Sequence, residues 1–237
     1  MKEFGVDLNW KINVKIYLST LAARRLPGSI IHVLGRVSLY KLLGQSLKRI
    51  ALASALEYIL IVWSGVILTI LFTFINFHII DKFWILILIG LVIFMVTINP
   101  KFINFLLNKL NREEYKTQLN YWKILYWLIG YSIIWLLGGF FLILIIYTIN
   151  SDLKFLWYQS VLPWISSGII GMIITFLPSG LGVVEITLSS YLSKFVGISI
   201  ALSAALLSRI IQTFIDVIIS FLFLLLNKLC NPKELLK

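Results

Sequence analysis

Five nearly uninterrupted apolar runs, at about 50–76, 83–98, 122–148, 157–177 and 200–227, restrict this 237-residue chain more than any other feature. A helix needs about 20 such residues to cross ~30 Å of hydrocarbon. The strands of a membrane barrel would alternate apolar and polar residues, and these runs do not. Charged residues make up only 13% of the chain, against roughly a quarter in soluble domains. The expected class is all-α: a polytopic integral membrane protein, one membrane domain over 1–237, with about six membrane segments.

Lys and Arg, which outnumber Asp and Glu by 21 to 10, cluster by position. They crowd the segment from Lys2 to Arg49, the stretch from Lys101 to Lys123, and the tail from Lys228 to Lys237. The intervening loops hold only Lys82 with Asp81 and Lys154 with Asp152. Basic residues in short loops mark the cytoplasmic side, so both termini are expected there, in a cell membrane. Anionic lipid headgroups are the expected partners of this charge, and nucleic acid is not. The stretch Ile12 to Ala23 is short, holds Lys15 and lacks a small-residue cleavage site, so no cleaved signal is expected. A single cysteine, Cys230, rules out a disulfide framework.

Residues 1–49 carry too many charges to span and read as an amphipathic or re-entrant element, interrupted at Pro27-Gly28. Residues 50–148 read as three spans, with a cytoplasmic surface helix over 101–116 whose Phe102, Phe105, Leu106 and Leu110 share a face. Residues 157–227 read as a broken hairpin followed by the last span. The hairpin tip, in LPSGLGVVE (177–185), carries no Lys or Arg, unlike the cytoplasmic loops. It is therefore expected at membrane depth, where irregular backbone is tolerated only against protein or a wet cavity. LPGSIIHVLGRVSLY (26–40) parallels LPSGLGVVEITLSSY (177–191), and IALASAL (50–56) parallels IALSAAL (200–206). Similar units of opposite direction suggest an inverted repeat of the kind transporters use, with chance similarity of apolar helices as the alternative.

Ionisable groups inside a membrane cost at least ~2.5–3.5 kcal/mol each, so they pair or line an aqueous path. The candidates are Arg36, Glu57, Glu185 and Arg209, with Asp216 deeper on the last helix and Arg24 and Arg25 at the interface. Glu185 follows Gly180-Leu181-Gly182 and falls in a first helical turn, which favours an anion. The same turn suits a phosphate, or Glu185 simply fixes the hairpin. Arg209, Gln212, Asp216 and Ser220 lie on one face of the last helix, and Ser54, Glu57 and Ser64 on one face of the first span. Gly138, Gly139, Gly168 and Gly171 read as close helix contacts. Trp10, Trp84, Tyr121, Trp122, Trp157 and Tyr158 sit near span ends as interfacial anchors. His32 and His78 have no second ligand at metal spacing. No catalytic set, metal motif or nucleotide loop is present in the sequence, so neither an enzyme nor a cofactor is expected.

LPSGLGVVE with Arg209, together with RRLPGSIIHVLGR (24–36) and Glu57, resembles the transmembrane flippase region of lysylphosphatidylglycerol synthases and its standalone bacterial and archaeal relatives. The chain departs from that pattern at Ser179 and Val184, and relatives carry two or more spans ahead of the Arg-x-Pro-Gly-like segment, so a truncated or minimal member is expected. The resemblance implies a flippase-like protein that binds or translocates a lipid with a polar or charged headgroup, a phospholipid or a lipid-linked precursor. By the same resemblance Arg24, Arg25, Arg36, Glu57, Glu185 and Arg209 line the headgroup path, and Gly180, Gly182, Gln212 and Asp216 join them by position. The alternative is a non-transporting scaffold or accessory subunit for a partner glycosyltransferase or lipid synthase. An oligomer is compatible with either.

Overall fold

The computed structural model describes residues 8–21, 31–77, 99–102, 104–105, 119–151, 157–174 and 180–227. Its helices are α1 (Trp10–Ser19), α2 (Ile31–Leu42), α3 (Leu47–Phe77), α4 (Tyr121–Ile149), α5 (Trp157–Ile173), α6 (Val183–Leu192) and α7 (Ile198–Asn227), with no strand among the described residues. Three of them, α3, α4 and α7, are long and apolar enough to cross a membrane. They coincide with the apolar runs at 50–76, 122–148 and 200–227. The run at 83–98 lies outside the described residues, as do Arg24, Arg25, Pro27, Gly28, His78 and residues 177–179. Of the surface helix expected over 101–116, residues 101–102 and 104–105 are described, and they are helical.

The long helices are apolar on the outside. On α4, Trp122, Tyr126, Ile129, Ile133, Leu137, Phe140 and Leu144 form an exposed stripe at three- and four-residue spacing. On α7, Leu202, Leu206, Ile210, Phe214, Val217 and Phe221 do the same, while Ser208 and Ser220 are buried on the other side. Exposed apolar surface with polar groups turned inward is what a lipid solvent favours.

Side-chain contacts fix the relative directions of the helices. The Tyr58 hydroxyl donates to the carbonyl of Met172, Gly65 faces Ile169, and the rings of Phe72 and Trp157 meet edge to face at 6.1 Å. The helices α3 and α5 are therefore antiparallel, and α5 begins near the far end of α3 and stops beside Tyr58. That level is about 16 Å from the start of α3 at ~1.5 Å per residue. Against α4, Trp135 lies on Gly168, Trp164 on Gly138 and Val161 on Gly139, so α4 and α5 are antiparallel too. It follows that α3 and α4 run the same way.

Glycine and tryptophan interlock α3, α4 and α5. A methyl group on Gly138 would lie 1.9 Å from Trp164 Nε1, and one on Gly168 would lie 2.6 Å from the Trp135 ring. Each indole occupies the space that a side chain on the facing helix would fill. The Trp135 ring nitrogen also donates to the Ile61 carbonyl at 3.1 Å, and Ser160 Oγ donates to the Gly139 carbonyl at 2.8 Å. Both indole and hydroxyl thus have partners where no water is available.

The turn between α5 and α6 depends on glycine in a different way. Gly180 and Gly182 have φ of 67° and 82°, conformations that side chains with a Cβ resist. Gly180 also touches Gly171, since a methyl on Gly180 would lie 2.8 Å from the Gly171 Cα. The hairpin therefore closes backbone to backbone beside the end of α5. Around it, α1, α2, α3, α5, α6 and α7 form a ring in which each helix packs on the next and α1 closes back on α7. The remaining helix, α4, packs outside the ring against α3, α5 and α7.

Gly130, also on α4, has open space around it: a methyl group there would meet nothing within 4 Å. In detergent-solubilised protein, Gly138→Ala is expected to lower thermal stability by about 1–3 kcal/mol through overpacking. Gly130→Ala, relieving a helix-interior glycine, is expected to leave it unchanged or raise it by up to ~1 kcal/mol. Equal melting temperatures for the two variants would contradict the interlock.

Candidate functional site

Two largely shielded acid–base pairs are present, one on α2 and α3 and one on α6 and α7. In the first, Arg36 on α2 meets Glu57 on α3, with Nη1 and Oε2 3.1 Å apart. Tyr17 on α1 donates its hydroxyl to the same Glu57 oxygen at 2.5 Å, and its ring lies 3.5 Å beneath the Arg36 guanidinium. One tyrosine therefore contacts both members of the pair, by a hydrogen bond to the anion and a cation–π contact to the cation. Tyr40, fully buried on α2, donates to Asn13 Oδ1 on α1 at 2.7 Å and fixes the two short helices together. Burial first, and the neighbouring Glu57 charge after it, push the Tyr17 hydroxyl well above its ordinary range, so it remains a donor. Burial likewise pushes Tyr40 up to about 12.

The second pair joins Glu185 on α6 to Arg209 on α7, with Oε1 and Nε 2.8 Å apart. Gly182 is the N-cap of α6, and Glu185 falls in its first turn, where the positive end of the helix dipole favours a carboxylate. The polarity is opposite to that of the first pair. At the first pair the short helix carries the base and the long helix the acid; at the second the short helix carries the acid and the long helix the base.

The polar face of α7 runs between the two pairs. Arg209, Gln212 and Asp216 are partly buried along it, and Ser220 is buried and donates to the Leu18 carbonyl of α1 at 3.0 Å. From Arg209 to Ser220 the stripe covers about 16 Å at ~1.5 Å per residue. Leu18 is adjacent to Tyr17, so consecutive residues of α1 reach the last helix on one side and the Arg36–Glu57 pair on the other. Glu57 is in turn adjacent to Tyr58, which holds the end of α5. The two pairs and the α7 stripe are thus connected through named hydrogen bonds rather than merely lying in one molecule.

Of the residues expected to line a path, Arg36 and Glu57 meet each other, and so do Glu185 and Arg209. Gly180 and Gly182 lead into α6 with positive φ, and Gln212 and Asp216 share the Arg209 face. Arg24 and Arg25 lie outside the described residues. The acid that meets Arg209, left open by the sequence, is Glu185. Tyr17, Tyr40 and Asn13 escape sequence reasoning, because residues 1–49 read there only as a charge-bearing amphipathic or re-entrant element. Three buried polar atoms lack a hydrogen-bond partner at the two pairs or one turn away: Arg36 Nε, Ser54 Oγ and Glu185 Oε2. Among the described residues, no group of His, Cys, Asp or Glu has the arrangement of a metal site. Comparison of the chain with family models, curated proteins and solved structures finds no match in any of the three.

Removing one partner from a buried pair strands the other charge, typically at ~3–5 kcal/mol. Arg209→Ala is accordingly expected to cost more stability than the double variant Glu185→Gln/Arg209→Gln, which keeps a neutral hydrogen-bonded pair. Denaturation midpoints in detergent read this directly. A double variant as unstable as the single one would show that the charges themselves are not what the site requires.

Proposed function

We propose that this chain is a multi-pass cell-membrane protein, with both termini cytoplasmic, that binds a lipid's polar or charged headgroup inside the bilayer and carries it between leaflets. The lipid tails stay in hydrocarbon, while fixed charges and a helix end replace the headgroup's water. The observation that carries this reading is the presence of two largely shielded acid–base contacts of opposite polarity, the second beginning just after Gly180 and Gly182. Met172, at the end of α5, meets Tyr58 about 16 Å along a helix long enough to span, and Gly180 touches Gly171 beside it. Half of a ~30 Å core is about that depth. In this reading α5 and α6 form a re-entrant hairpin, and the ring of six helices encloses the headgroup path.

An inverted repeat is part of the same proposal. A 12-residue helix, a glycine turn and a 31-residue helix (α2 and α3) are followed later by a 10-residue helix, a short turn and a 30-residue helix (α6 and α7). The α5–α6 hairpin and the short α6–α7 turn reverse the chain twice, so α7 runs as α5 does, opposite to α3. The two units exchange the positions of acid and base, as pseudo-symmetric halves serving one headgroup would. Opposed units around broken helices are how many transporters build a site near the midplane. Likeness to the flippase region of lysylphosphatidylglycerol synthases, carried by LPSGLGVVE, Arg209 and Glu57, supports the lipid assignment.

The test is leaflet exchange of acyl-labelled phospholipids in vesicles containing the full chain. Exchange is expected to run well above protein-free vesicles and to fall at least about tenfold in Arg209→Ala and Glu185→Gln, as for loss of a charged hydrogen bond. Wild-type and variant vesicles indistinguishable from empty ones would overturn transport and favour a non-transporting scaffold for a lipid enzyme.

A further inference from the structure

We infer that the end of the molecule where α3 and α4 begin is a binding surface for anionic phospholipid headgroups, built from lysines that the fold gathers from separate segments onto one level. Contacts between the helices set that level. Ile12 and Ile16 of α1, Tyr40 of α2 and Ile50 of α3 share one apolar cluster, with Tyr40 bonded to Asn13. Leu119 and Ile124, at the start of α4, pack with Ala53 of α3, and Asn104 bonds both backbone groups of Leu119, at 3.1 and 3.2 Å. Lys11, Lys15, Lys41, Lys48, Lys101 and Lys123 stand on these same turns, and all but Lys15 are exposed. Among the described residues the opposite end carries one basic side chain, Lys194, beside the Tyr191 ring. The described carboxylates lie farther in: Glu57 and Glu185 are held by arginines, and Asp216 comes one turn before the Ser220 that meets Leu18, beyond the lysines of α1.

Charge alone would suit any polyanion, and the apolar company of these lysines selects a membrane. Trp10, Phe102, Tyr121 and Trp122 are exposed on the same turns, and amphipathic rings prefer the depth of the headgroups. On α1, Trp10 and Val14 are exposed beside Lys11, and on α2 Leu42 is exposed beside Lys41. Trp122 also begins the apolar stripe that continues along α4 through Tyr126 and Ile129, so the basic level joins the lipid-facing surface without a break. A lysine stem lies along such apolar surface while its ammonium reaches the phosphates. A soluble polyanion would satisfy the lysines but not the rings. In the orientation proposed above this end faces the cytoplasmic leaflet, whose anionic lipids carry the complementary charge. The inference stands whether or not the chain exchanges lipid between leaflets.

The test is quenching of a bimane label on the full chain, in phosphatidylcholine vesicles and a Cys230→Ser background, by chain-nitroxide phosphatidylglycerol or phosphatidylcholine. One label sits at Val14→Cys, among the lysines, and another at Ser199→Cys, exposed at the opposite end. Phosphatidylglycerol is expected to quench the Val14 label at about fivefold lower content than phosphatidylcholine, the effect of one lysine at an anionic headgroup, and to quench the Ser199 label no better. The preference is expected to vanish in about 1 M salt, where the screening length is ~3 Å. It is also expected to vanish in Lys11→Gln/Lys15→Gln/Lys41→Gln/Lys48→Gln, which touches neither acid–base pair. The same four lysines changed to arginine are expected to keep it, which separates lost charge from lost fold. Equal quenching by the two lipids at Val14, an equal preference at Ser199, or a preference that survives the glutamine variant overturns the inference. Equal quenching together with salt-sensitive capture of polyglutamate assigns the lysines to a soluble acidic partner and overturns it as well.

Discussion

A carboxylate removed from water must meet a cation, and most of this fold follows from meeting that requirement twice. Glu57 and Glu185 are both largely shielded from water, and each is held by an arginine from a neighbouring helix. Because the arginines come from different helices, each pair also fixes a helix–helix geometry, α2 on α3 and α6 on α7. Ion pairs seldom add much net stability after desolvation. What they do here is forbid any arrangement that would separate the partners, which gives the polar groups a single place to be.

The apolar packing serves those pairs. Trp135 and Trp164 sit over glycines of facing helices and lock α3, α4 and α5 with little freedom to slide. Tyr58 then ties the end of α5 to the residue next to Glu57, and the Gly171–Gly180 contact folds α6 back from that point. The position of Glu185 relative to Glu57 is therefore set by a chain of close contacts rather than by the pairs alone. The short helix α1 closes the ring, with Tyr17 on one pair and Leu18 on the stripe that leads to the other.

The spans at 50–76, 122–148 and 200–227 are legible in the sequence because hydrocarbon thickness sets a length that composition alone can reveal. Arg36, Glu57, Glu185 and Arg209 are legible for the same solvent reason, since a charge in an apolar run needs a partner. Which acid meets Arg209 is not, because the choice between Glu185, Glu57 and Asp216 depends on how α6 folds back on α7. Nor does the sequence mark out Trp135 and Trp164 as core. Tryptophan in membrane helices suggests an interfacial belt, and only the glycines opposite make room for an indole in the interior. For α1, lysines at close spacing suggest a surface element, and the packing of Ile16 and the reach of Tyr17 emerge only with the tertiary arrangement. The run at 83–98 lies outside the described residues.

The central claim is that the turn between α5 and α6 lies at the level of the interior of the spanning helices. Electron–electron distances in lipid bilayers, from a spin label at Leu181 to labels along the exposed stripe of α4, measure this directly in a Cys230→Ser background. The account predicts a shortest distance near Ile129, lengthening toward both Trp122 and Leu144. A distance that keeps shortening toward Trp122 would place the tip beyond the end of α4, in the aqueous phase, and would contradict it.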